Sequence, residues 1–170
     1  MEQNAKQQRQ QYKKEAAVKN FRYNRYLLLR YMLALFFFTN LYWALGLVLG
    51  GKITALLPGF LIVFSLMAVA EHVKLYGAKE YESKKLHYNR IYHYIQLSVN
   101  ALMILIAVTG IGYSSFFPFL ETTMKARVMI SGILAIGSLI SFACLKRMQA
   151  IDQQKDKHYH YIQEFEKEMK

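Results

Sequence analysis

One cysteine and two prolines are all that the 170 residues contain, and basic side chains outnumber acidic ones 22 to 11. The lone thiol, Cys144, rules out an intrachain disulfide framework. The two prolines, Pro58 and Pro118, leave the apolar stretches largely unbroken. Recurrent catalytic signatures are missing as well: no phosphate loop, no Gly-x-Ser-x-Gly, no His-Glu-x-x-His and no Cys-x-x-Cys. The pair Gly50-Gly51 before Lys52 has no phosphate-loop context and reads as a tight turn. The most telling absence is local. No charged residue occurs in residues 31–51, 53–70, 91–120 or 128–145.

What is present is therefore segregated. Hydrophobic residues make up 54% of a chain whose formal net charge is +11. A soluble domain intersperses charge with apolar residues, whereas a spanning helix needs roughly 20 mostly apolar residues in a row. Each charge-free stretch meets or nearly meets that length. The expected fold is all-α, a four-helix transmembrane bundle with spans at about 26–50, 53–75, 91–112 and 127–146. Residues 113–126, rich in Gly, Ser and Pro at their start, are expected to connect spans three and four. Residues 1–25 form a basic N-terminal segment and residues 147–170 an amphipathic tail. The basic leader and the length of the first apolar segment argue against a cleaved signal peptide.

Lysine and arginine orient this bundle. They cluster before span one, from Lys6 to Arg25, between spans two and three, from Lys74 to Arg90, and after span four, from Lys146 onward. The opposite connections hold only Lys52, Lys125 and Arg127. Positive residues favour the cytoplasmic side, so both termini are expected inside, with cytoplasmic helical extensions. This clustering explains the net charge through contact with anionic lipid headgroups, and no nucleic-acid partner is expected.

Two short repeats stand out. Tyr-Asn-Arg recurs at 23–25 and 88–90, each time ahead of a span heading outward. With the loose alignment of Gly59, Ser65 and Ala70 against Gly132, Ser138 and Ala143, it suggests a duplicated two-helix hairpin. The pentapeptide YHYIQ recurs at 92–96 and 159–163. It falls outside that scheme, and its copies are expected on one side of the membrane near one depth.

Polar residues inside the spans define the candidate contacts. His93, Gln96 and Asn100 follow an i, i+3, i+7 pattern and share a helix face, as interhelical hydrogen-bonding residues do. Asn40 lies deep in span one. Arg30 is expected to snorkel to the headgroups, with Glu71 as the rival partner. Candidate helix–helix polar contacts are thus Arg30, Asn40, Glu71, His93, Gln96 and Asn100. Candidate membrane-surface contacts are Tyr23, Arg25, Tyr88, Arg90, His158 and His160. The five histidines, all predicted cytoplasmic, lack the spacing of a known metal set, so no metal or other cofactor is assigned.

The segment 21–43, FRYNRYLLLRYMLALFFFTNLYW, resembles the first span of small multi-pass membrane proteins from streptococci and related Gram-positive bacteria. Some of those are labelled cellobiose phosphotransferase-system (PTS) subunits. The resemblance covers chiefly that segment and implies a bacterial cytoplasmic membrane. It departs from the label, because phosphate-carrying subunits of that system resemble soluble domains with a phosphorylated histidine or cysteine. The sugar channel of that system is also much larger than this chain. No residue here matches those sites, and none is carried over.

The functional expectation is a non-enzymatic accessory or regulatory subunit of a larger membrane complex, with a membrane-protein partner or self-association. The alternatives are a small-molecule or sugar transport component working as an oligomer, and a cytoplasmic-side metal or pH sensor.

Overall fold

A computed structural model describes residues 2–77, 86–156, 159–161 and 163. Every regular element in them is helical. Helix α1 spans Glu2–Arg25 and α2 Leu27–Leu49, with a break at Tyr26. A tight turn through Gly50 and Gly51 and a 3-10 turn at Ile53–Ala55 lead into α3, Leu56–Gly77. Pro58 sits in the first turn of α3, where its missing N–H would have had no intrahelical partner. Helix α4 covers His87–Thr109, α5 the single turn Tyr113–Phe116, and α6 Met124–Asp152.

Four helices are long and apolar enough to cross a membrane: Leu27–Leu49, Ile53–Lys74, His87–Thr109 and Met124–Asp152. The third begins and ends a few residues earlier than the sequence pattern suggests. Its start is set by a cap at Leu86–Asn89, and its end by Gly110, whose φ of +78° leaves the helical region. The fourth runs on past Lys146 to Asp152, because Met148 and Ile151 remain buried against Leu29 and Leu86.

The helices pack as two antiparallel hairpins, α2 with α3 and α4 with α6, joined through α3 against α4. Three apolar layers fill the interior. Leu29, Leu86, Cys144, Met148 and Ile151 pack at the end where α2 begins. Leu33, Phe36, Ala68 and Tyr92 form the next layer. At the far end Met103, Ala107, Tyr113 and Phe117 pack with Trp43 and Leu57. Side chains such as Val63, Leu105 and Leu139 are exposed on the outside, as a lipid-facing surface requires. In the apolar window of each span, 39% of α4 is buried but only 11% of α6. Helix α4 is the centre of the bundle and α6 its most peripheral member.

The connection from α4 to α6 is an ordered cap over the far end. Trp43 donates from Nε1 to the Phe116 carbonyl at 2.9 Å, and Thr54 donates to the Ser115 carbonyl at 2.5 Å. Arg127 folds back to donate to the carbonyls of Ala107 (2.6 Å) and Val108. A cation there satisfies otherwise unpaired groups at the C-terminal end of α4.

Candidate functional site

Polar side chains gather in two places, a stripe inside the bundle and a collar around the end where α2 and α4 begin. The stripe follows from spacing on α4, where residues three and four apart lie on one face. Tyr92, His93, Gln96 and Asn100 all point inward and are buried. Asn40 of α2 donates to Gln96 Oε1 at 3.0 Å and to the Tyr92 hydroxyl at 3.2 Å. Tyr92 donates to the same Gln96 oxygen at 3.0 Å, and Gln96 Nε2 donates to Asn100 Oδ1 at 2.9 Å. Asn100 then reaches the Leu134 carbonyl of α6 at 3.4 Å. Gly137 makes room for this, since a Cβ there would lie 3.1 Å from Asn100 Nδ2. One chain of bonds thus links α2, α4 and α6.

His93 is the exception within the stripe. Its ring is fully buried, edge-on to Phe36 and Tyr92, and neither ring nitrogen has a hydrogen-bond partner. Its contact across the helices is aromatic rather than polar.

The collar is built from charge. Arg25, expected at the membrane surface, is instead 2% exposed and ion-paired with Asp156. Its Nε lies 3.0 and 2.9 Å from the two carboxylate oxygens, and it also donates to the Ile151 carbonyl at 2.9 Å. A buried guanidinium demands such a full set of acceptors. Beside it, burial pushes the Tyr26 phenol above its ordinary pKa, with Arg25 pulling less strongly the other way. Arg90 pairs with Asp152 in a half-exposed position. The arginines of the two Tyr-Asn-Arg repeats therefore grip aspartates four residues apart, one at the end of α6 and one just past it. The flanking residues are not equivalent: Asn24 is exposed, whereas Asn89 is buried.

Glu71 is not the partner of Arg30. Its carboxylate accepts from the backbone N–H groups of Tyr88 (2.9 Å) and Asn89 (3.0 Å), capping the first turn of α4. Unpaired amides and the positive end of the helix dipole hold it there. Asn89 in turn meets His72 Nε2 at 2.5 Å. Arg30 stands over the Tyr23 ring at 4.4 Å, and its Nε is buried without a hydrogen-bond partner. Arg30, Tyr23 and His72 line a partly open cavity of about 390 Å³ between α2 and α3. His72 was read from the sequence only as one of five cytoplasmic-side histidines, and the cavity was not foreseen. The one available signal was the spacing that brings Tyr23, Arg30 and Leu33 near one face of a continuous helix.

Of the remaining surface candidates, Tyr88 and His160 are exposed, and His158 lies outside the described residues. Tyr159 takes Arg25 over its ring at 5.4 Å, and Phe21 stacks on Tyr161. Tyr159 and Tyr161 of the second YHYIQ copy are thus held at the collar, while the first copy lies further along, in the second and third turns of α4. Among the described residues no three His, Cys, Asp or Glu side chains gather as a metal-binding set.

These features define a multi-pass membrane protein with a hydrogen-bonded interior. No family model, no curated protein and no solved structure matches the chain.

Proposed function

We propose that this chain is a non-enzymatic accessory or regulatory subunit of a larger complex in a bacterial cytoplasmic membrane, with both termini cytoplasmic. The observation that carries this reading is the closure of the interior. Asn40, Tyr92, Gln96 and Asn100 spend their hydrogen-bonding groups on one another and on α6, as residues that join helices do. A substrate path through the bundle would leave such groups facing an opening and would normally include a deep ionisable side chain. The weakly buried α6 leaves a broad apolar face for a neighbouring membrane helix. Orientation follows from charge. The collar end carries Lys74, Lys146 and Arg147 besides the paired arginines, while the far end has only Lys52, Lys125 and Arg127. Crosslinking in native membranes, followed by identification of what is joined to the chain, tests the subunit reading.

The transport alternative has one observation in its favour, the unpartnered His93 ring beside the stripe. It is tested by flux through reconstituted protein, where no substrate-dependent uptake and an unaltered phenotype for Asn100→Leu would remove it.

A further inference from the structure

The cavity between α2 and α3 is polar at one end and apolar along its walls. Tyr23, Arg30, His72 and Val73 belong to the collar end, whereas Leu33, Ala34 and Val69 line the deeper part. Arg30 is the fourth residue of α2. At 1.5 Å rise per residue it lies only about 5 Å inside the end of the span, near the level of lipid phosphates.

Two of the lining residues carry a buried nitrogen without a partner. Arg30 Nε has no hydrogen-bond partner, and no carboxylate pairs with its guanidinium among the described residues. His72 is only 4% exposed, and its Nδ1 is likewise without a partner. Its Nε2 meets the Asn89 side-chain amide. An N–H buried without an acceptor is costly, and more so when it belongs to a cation. Both residues line one cavity, so an acceptor-rich anion placed there meets the Arg30 side chain. Guanidinium and phosphate are well matched in charge and geometry for this.

The geometry points to a binding site for the phosphate of an anionic phospholipid, with Arg30 holding the headgroup beside His72 and Val73 and an acyl chain lying along Leu33, Ala34 and Val69. The apolar walls distinguish a lipid from a free anion, since inorganic phosphate would leave them uncovered. The volume falls within the roughly 300–1,000 Å³ of ordinary small-molecule sites. It accommodates the phosphate, glycerol and first methylenes, and the exposed Ala34 and Val69 open it to the bilayer. This is a defined pocket rather than the diffuse attraction of a basic surface, and it does not depend on which protein partner the chain has.

The test uses the full chain purified in detergent, with lipid retention read by native mass spectrometry and stabilisation by thermal unfolding. Phosphatidylglycerol should be retained and raise the unfolding temperature, phosphatidylcholine should do so less, and inorganic phosphate should do neither. Arg30→Gln should weaken phosphatidylglycerol retention about tenfold, the loss of a charged hydrogen-bonding partner. Lys146→Gln, which removes the same charge from an exposed position at the same end, should leave retention unchanged. Ala34→Phe fills the apolar wall at an exposed residue while leaving Arg30 and His72 in place, and should also reduce retention. Equal loss in Arg30→Gln and Lys146→Gln would reduce the site to general surface charge and overturn the assignment. Full stabilisation by inorganic phosphate would overturn the lipid part of it. Unaltered phosphatidylglycerol binding in folded Arg30→Gln and Ala34→Phe would overturn it entirely.

Discussion

Arg25 and Asp156 are 131 residues apart in sequence and form a buried ion pair, with guanidinium NH2 and carboxylate Oδ1 at 2.5 Å. The contact fastens the break between α1 and α2 to the segment that follows α6. It closes the bundle at the collar, beside the layer in which Leu29 of α2 packs on Cys144, Met148 and Ile151 of α6.

Breaking that pair from one side leaves a buried charge without compensation. Arg25→Met or Asp156→Leu alone should cost about 3–5 kcal/mol, while the double replacement should recover much of the loss. Reversible unfolding in mixed micelles, read as a double-mutant cycle, checks this. Additive losses in the two single variants would show that the groups act independently.

The interior stripe predicts smaller effects with a distinct order. Gln96 bonds Asn40, Tyr92 and Asn100, so Gln96→Leu takes one bond from each of three partners. Asn100→Leu strands Gln96 Nε2, while the Leu134 carbonyl keeps the Ser138 hydroxyl. Interhelical bonds in membranes average about 0.6 kcal/mol each. Gln96→Leu should therefore cost about 1–2 kcal/mol, and Asn100→Leu less, by the same unfolding measurement.

Gly110 should tolerate no side chain. Its φ is +78°, and an added Cβ would meet the Arg127 guanidinium at 3.0 Å. Gly110→Ala should lose about 1–2 kcal/mol from the backbone alone, and more if Arg127 is displaced from the α4 carbonyls. Protease sensitivity of residues 110–123, together with unfolding, reads both parts.

Glu71→Gln keeps the shape of the α4 cap but removes its charge, and Glu71→Ala removes both. The expected order of stability is wild type, then Gln, then Ala, with the full loss at about 1 kcal/mol. Hydrogen exchange at the Tyr88 and Asn89 amides, slowed by Glu71 in the native protein, should speed up in the same order.

The spans were legible because charge is expensive in hydrocarbon, so its absence over some 20 residues carries nearly all the information. The face shared by His93, Gln96 and Asn100 was legible for a similar reason, since helical spacing alone places them together. What could not be read were partners distant in sequence. Nothing near Arg25 announces Asp156, and a surface position was the local expectation for a basic residue beside a span. Glu71 and Arg30 lie near the same end of adjacent helices, which makes them look like a pair. The open N–H groups of α4 compete better for that carboxylate, and this competition becomes visible only once α3 and α4 are packed. The cap formed by α5 and Arg127 was hidden for another reason: Gly, Ser and Pro mark a loop, and they do not say that Trp43 and Thr54 will hold it down.

The subunit reading is tested most directly by crosslinking the intact chain in its native membranes, then purifying it gently and identifying what comes with it. We expect one unlike membrane protein in a fixed ratio, with crosslinks from exposed α6 positions such as Ile136 and Leu139. Recovery of the chain only alone or joined to copies of itself would contradict it.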